Sequence, residues 1–135
     1  MCGRRSGHTA LLLGDGRVMV VGGMKSEGSA AASEIFDPTS GKWSNAGNMI
    51  RRTFTHSTTM LEDGRVLLIG GFGGRDAKYK SEVYDPVTQA WNRAGKMSEG
   101  RMLHTATLLN DGRVRAVGGV GDRGPIASAE LYDPS

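Results

Sequence analysis

Apolar runs of four or five residues, each closed by turn-forming residues, recur along the whole chain. Residues 9–13 (Thr-Ala-Leu-Leu-Leu) make the first run, and Asp15-Gly16 follows as a turn. Residues 17–21 (Arg-Val-Met-Val-Val) make the second, ending at Gly22-Gly23. Two β-rich runs around Asp-Gly predict a hairpin. A variable polar stretch comes next, then a third strand over 33–37. The cluster Asp37-Pro38-Thr39-Ser40-Gly41 turns the chain into a fourth strand over 42–46, around Trp43. No window of ten residues carries helical spacing, so the unit is four short antiparallel strands. The second strand is apolar at Val18 and Val20 on one face and at Met19 and Val21 on the other, a pattern expected of a sheet covered on both sides.

Offset by 48 residues, the chain matches itself without an insertion. His8, His56 and His104 coincide, and so do the three Asp-Gly-Arg-Val runs that begin at Asp15, Asp63 and Asp111. Gly22-Gly23, Gly70-Gly71 and Gly118-Gly119 coincide, as do Glu34, Glu82 and Glu130. Phe36, Tyr84 and Tyr132 each precede an Asp-Pro, and Trp43 pairs with Trp91. The chain reads as one region of three repeats, approximately 1–48, 49–96 and 97–135, the last lacking its fourth strand. Four-stranded sheets at this period are blades of a β-propeller. The expected fold is therefore all-β, about three four-stranded antiparallel blades, either part of a propeller or a unit that completes a ring by self-association. Arg115 stands where the other copies have Met19 and Leu67, as if that face of the third blade were wet.

Gly22-Gly23, Phe36 and Trp43, repeated as Gly70-Gly71, Tyr84 and Trp91, resemble the kelch motif. With His8-Thr9 and Asp15-Gly16-Arg17-Val18 the units are similar to bacterial kelch repeats related to the galactose oxidase propeller domain. The resemblance implies a propeller of five to seven blades, of which this chain would supply about half. It does not carry over the copper-radical chemistry of galactose oxidase, because Cys2 lies in a terminal tail and no histidine departs from the repeat.

Composition narrows the function. Glycine occupies 21 of 135 positions with only four prolines, which suits many tight turns. The single cysteine excludes an internal disulfide. No apolar run is long enough for a transmembrane helix, and Met1–Arg5 is not followed by the apolar stretch of a signal peptide; the compartment is left open. The three histidines fall on successive blades about 10 Å apart, too far for one metal, so they are expected to hydrogen-bond neighbouring backbone at the start of the first strand. No cofactor, metal site or catalytic constellation is expected. Each recurrent glutamate should pair with an arginine of an adjacent blade, such as Arg5 or Arg101. Arg17, Arg65 and Arg113 should be solvated, and the tryptophans should pack between outer strands.

Charge separates along the blade axis. Alternate connections of an up-and-down blade emerge at opposite ends. The end with the longer loops collects eleven Lys and Arg against four Asp and Glu, a balance of +7, while the short-turn end stands at −3. Variable loops on a rigid frame are where binding concentrates, and a basic surface draws anions. Candidate binding residues are Arg51, Arg52, Arg75, Lys78, Tyr79, Lys80, Arg101 and Arg123, with residues 72–80 the leading loop. The expected function is a non-catalytic binding or scaffolding module that recognises a protein or an anionic glycan. Alternatives are a piece of a galactose oxidase-like or other carbohydrate-active enzyme, and a self-assembling structural unit. Nucleic acid fits less well, since the basic end offers few stacking aromatics.

Overall fold

The computed structural model describes residues 1–74 and 76–135. Its strands, in chain order, are β1 (Thr9–Leu12), β2 (Val18–Val21), β3 (Met24–Lys25), β4 (Gly28–Ser29), β5 (Ala32–Asp37), β6 (Lys42–Asn48), β7 (Ser57–Met60), β8 (Val66–Ile69), β9 (Lys80–Asp85), β10 (Ala90–Lys96), β11 (Thr105–Leu108), β12 (Val114–Val117), β13 (Val120–Gly121), β14 (Gly124–Pro125) and β15 (Ala129–Tyr132). Three antiparallel sheets result, ordered β1-β2-β5-β6, β7-β8-β9-β10 and β11-β12-β15. The expected strands match these within two residues at each end. Two features lay beyond the expectation: the two-residue hairpins β3–β4 and β13–β14, and a 3-10 turn over Ala77–Tyr79.

Each tight turn is set by its own side chains. In the first, Leu13 and Arg17 are joined by a backbone bond of 2.8 Å, and Asp15 accepts the Arg17 N–H at 3.1 Å. Asp15 also pairs with the Arg17 guanidinium, and Asp63–Arg65 and Asp111–Arg113 repeat the pairing. These arginines are therefore half-exposed turn clamps, a correction to their reading as merely solvated.

The sheets stand side by side. Inner strands β1, β7 and β11 are successive neighbours, and so are outer strands β6 and β10. Met19, Val21 and Ile35 of the first sheet meet Val66, Leu68, Tyr84 and Trp91 of the second. Leu67, Ile69 and Val83, on the opposite face of that second sheet, meet Val114 and Ala116 of the third. Every residue of β8 is consequently buried. Along β12 burial alternates instead, because only one face has a neighbour: Val114 and Ala116 are buried, whereas Arg115 and Val117 are exposed.

Trp43 and Trp91 show what a neighbouring sheet contributes. Each packs on the aromatic directly across the strand pair, Phe36 at 5.1 Å and Tyr84 at 5.3 Å between ring centroids. Trp91 also reaches the first sheet, donating its indole N–H to Ser33 Oγ at 3.0 Å, and is 7% exposed. Trp43 has no sheet on that side and is 39% exposed.

The glycine pairs end β2, β8 and β12 where the next sheet presses closest. Gly70 has φ +63°, and a Cβ there would lie against the Arg101 carbonyl oxygen and 3.0 Å from His104 Cε1. Gly118 has φ +64°, but with no following sheet its nearest neighbour would be Ile126 O at 3.6 Å. Gly118→Ala should therefore cost only the left-handed backbone penalty, roughly 1–2 kcal/mol, and Gly70→Ala should cost clearly more, because steric overlap adds to the same penalty. Urea unfolding of the two variants measures the difference; equal midpoints would contradict this packing.

Candidate functional site

Two constellations recur at the end of the molecule that carries the longer loops, and a third, non-periodic one sits on top of them. The first is a brace beneath each glycine pair. Arg5 donates to the carbonyl oxygens of Gly22 at 3.0 Å and Ala32 at 3.1 Å and forms an ion pair with Glu34. Arg101 donates to Gly118 O and Ser128 O, both at 3.0 Å, and to Glu130 at 3.1 Å. Thr53 occupies the corresponding place in the middle repeat, where its hydroxyl donates to Gly70 O at 3.2 Å.

The recurrent glutamates complete the brace by accepting loop N–H groups. Glu34 takes Cys2 N at 2.7 Å, Glu82 takes Ile50 N and Arg51 N at 2.8 and 3.1 Å, and Glu130 takes Ser98 N and Glu99 N at 2.8 and 3.1 Å. A buried carboxylate is tolerable only with such donors. Glu82, which has no guanidinium partner among the described residues, has its pKa raised by burial, which the two loop N–H groups only partly offset. Burial also opposes the Glu130 anion, but Ser98, Glu99 and Arg101 together outweigh it and hold the carboxyl below its ordinary value. The expectation that each glutamate pairs with an arginine of an adjacent blade is thus corrected: the arginine comes from the segment leading into the glutamate's own sheet.

The second constellation joins sheets. His56 Nε2 shares a hydrogen bond of 3.0 Å with the Thr9 hydroxyl of the preceding sheet, and His104 Nε2 shares one of 2.7 Å with Ser57. Both rings are buried. Both Nε2 atoms meet side-chain hydroxyls across the interface, and the backbone contact expected from sequence is represented at His56 by Val21 of the preceding sheet. Burial pushes each imidazole down to about 4. Beside them, Thr55 N donates to Gly7 O at 2.8 Å and Leu103 N to Thr55 O at 2.9 Å, a backbone link repeated at the same offset. Among the described residues no group of three or more His, Cys, Asp or Glu side chains is placed to hold a metal ion.

The third constellation lies above the second and third sheets. Asp122, at the tip of the β13–β14 hairpin, accepts hydrogen bonds from Lys78 and from the Tyr79 hydroxyl. Its carboxyl is held below the usual range by Lys78 first and then Tyr79, while the bond to Asp122 raises both partners. Lys96 Nζ lies 5.8 Å from the Tyr79 ring centroid, within reach of a cation–π contact. The clasp divides two open grooves of about 310 and 320 Å³. Tyr79, Asp122 and Arg123 line the first, with Ser98 and Glu99; Phe72, Asp76, Lys78 and Tyr79 line the second.

The eight candidate residues separate accordingly. Lys78, Tyr79 and Arg123 come together around Asp122, and Lys80 opens β9 directly after Tyr79. Arg52 is exposed, and its carbonyl packs closely on Gly73 of the 72–74 loop; Arg51 is half-buried, with its N–H bound to Glu82. Arg101 is corrected outright: its side chain is fully buried in the brace and presents no surface. Arg75 lies outside the described residues. Sequence reasoning missed Asp122 and Lys96. Asp122 has Gly74 and Ser26 at the matching offsets, so the repeat gives no signal for it.

A family model for the kelch motif matches residues 4–50 and 63–98, more than half of the sequence. The chain belongs to the kelch-repeat family. Its three sheets are kelch blades of a partial propeller, and the glycine pairs, the brace and the buried histidines are how this kelch chain joins blade to blade. No curated protein matches it.

The histidines give the kelch interface a pH dependence. An imidazole near 4 in the folded state and near 6.5 in the unfolded chain binds its proton preferentially when unfolded, so stability is full above about 6.5 and falls as pH drops toward 4. Glu82, with a raised pKa, works in the opposite direction and only softens the fall. Chemical denaturation across pH 7 to 4.5 should show a decline approaching two protons' worth of slope. His56→Gln/His104→Gln should flatten that decline, and a variant keeping the full slope would contradict the assignment.

Proposed function

We propose that this kelch chain is a protein-binding module that receives an acidic segment of its partner at the long-loop end, between the second and third blades. Kelch repeats generally mediate protein interactions, and the reading here concerns where and by what chemistry. Its main support is the Lys78–Asp122–Tyr79 clasp, a polar ridge between two open grooves, with Arg123 lining one groove, Lys96 over the Tyr79 ring, Lys80 next in sequence to Tyr79, and exposed Arg52 on the loop that meets Gly73. These side chains sit on loops and strand ends carried by antiparallel sheets, so a partner meets a surface whose ordering has already been accomplished.

The burial of Arg5 and Arg101 against glutamates reduces the charge this end presents, compared with the count from sequence alone. What remains is still basic and concentrated on the loops that differ between repeats. Asp122 competes with an incoming carboxylate for Lys78 and Tyr79, so the partner's acid takes over donors that Asp122 now holds. Docking of this kind is steered electrostatically and weakens with salt.

The test uses a fluorescent oligo-glutamate peptide and, in a second arm, a sulfated oligosaccharide. Arg52→Glu/Lys80→Glu/Arg123→Glu should weaken capture of the peptide at least about tenfold at low salt. Asp122→Asn, which frees Lys78, should strengthen it. Unchanged binding in the triple variant, or a response confined to the sulfated sugar, overturns the proposal.

A further inference from the structure

Each tight turn carries a dipeptide that is chemically fragile. In Asp15-Gly16, Asp63-Gly64 and Asp111-Gly112 the glycine has no side chain to shield its backbone nitrogen from the preceding carboxyl. Attack of that nitrogen on the aspartyl Cγ forms an N–C bond and breaks the C–OH bond, and the N–H proton leaves with the hydroxyl as water, giving a succinimide. Water then reopens the ring at either carbonyl, and opening at the main-chain carbonyl leaves an isoaspartyl linkage of unchanged mass. That linkage adds a carbon to the backbone. It would disturb the register the turn sets between β1 and β2, β7 and β8, or β11 and β12.

Ring closure needs a free nitrogen and a carboxyl able to turn toward it, and the fold holds both. The glycine N–H donates to a leucine carbonyl in every turn: Gly16 to Leu13, Gly64 to Leu61 and Gly112 to Leu109, all at 3.0 Å. The carboxylate is held at both oxygens by the arginine two residues on. In the first turn Oδ1 accepts the Arg17 backbone N–H at 3.1 Å and Oδ2 accepts Nε–H at 2.8 Å. The matching distances are 3.0 and 2.7 Å to Arg65, and 3.1 and 2.9 Å to Arg113. These bonds also hold the three carboxyls below their ordinary value, led by the side-chain bond at Asp15 and Asp111 and by the backbone N–H at Asp63. The protonated acid, which loses hydroxyl most easily, is therefore scarce at neutral pH. Half-exposed ion pairs of this kind contribute little to stability, so their presence in all three turns is better explained by the chemistry they block.

We propose that the arginine of each Asp-Gly-Arg turn guards the dipeptide before it against isoaspartate formation. It pins the electrophilic carboxyl while the leucine carbonyl pins the nucleophilic N–H, and attack becomes possible only when both are released. The three turns are latent modification sites that the fold keeps silent. They lie at the short-turn end and are independent of the acidic-partner reading above.

The test ages the folded chain for weeks at physiological temperature and neutral pH, beside a free peptide having the sequence of residues 60–67, Met-Leu-Glu-Asp-Gly-Arg-Val-Leu. Electron-transfer fragmentation then distinguishes aspartate from isoaspartate at equal mass. Isomerisation at Asp63 should be at least about tenfold slower in the folded chain than in the peptide, the factor that one charge-assisted hydrogen bond supplies when it must be broken first. Arg65→Gln in the protein should speed isomerisation at Asp63 several-fold and leave Asp15 and Asp111 at their former rates, so the two unaltered turns report that the fold is kept. The same change in the peptide should have no effect. Arg17→Gln should move the acceleration to Asp15. Equal rates in the folded chain and the peptide, or an altered turn that ages no faster than its unaltered neighbours, overturns the proposal.

Discussion

Everything in this molecule depends on one sheet leaning against the next through contacts that repeat every 48 residues. A four-residue strand such as β8 cannot be stable by its own pairing, since both of its faces are apolar. It becomes a core only when Met19, Val21 and Ile35 cover one face and Val114 and Ala116 come against the other. The closeness of that approach then dictates the rest: glycine at Gly70, where a side chain has no room, and a histidine small and polar enough to bridge to a hydroxyl on the preceding sheet.

The same closeness explains the buried charge. The chain must pass from the outer strand of one blade to the inner strand of the next, and this crossing leaves backbone N–H groups with no ladder partner. A glutamate in the third strand accepts them, and an arginine or a threonine holds the carbonyl at the glycine pair. Replacing a buried ion pair by apolar residues can be neutral for stability, and the Nε of both Arg5 and Arg101 is buried without a partner, so the brace is better understood as fixing the path of the crossing than as a large source of energy. The middle blade supports this: it uses Thr53 for the same carbonyl and leaves Glu82 to the loop N–H groups.

The periodic parts of the fold were legible in the sequence because the same local rule is written three times. Asp-Gly turns located the hairpins, and the two-sided apolar strands announced stacked sheets. What depends on neighbours was not legible. Trp43 and Trp91 sit in matching sequence surroundings, yet only one has a sheet to pack on. Arg101 looks like a loop cation until the brace is seen, although its correspondence with Arg5 was a usable sign. The Asp122 clasp has no counterpart in the other repeats, and the two-residue strands β3–β4 and β13–β14 are too short to carry a pattern. Binding chemistry thus resides in the positions that depart from the repeat, where a sequence offers least guidance.

Native-state amide exchange examines the central claim most directly. The N–H groups of Thr55 and Leu103 bond across the sheet boundaries, to Gly7 and Thr55 respectively, outside any strand ladder. If the sheets lean together as one cooperative body, both amides exchange slowly, together with those of β2 and β8. Coil-like exchange at Thr55 and Leu103 while β2 and β8 stay protected would mean that the sheets form without packing on one another, and the account would fail.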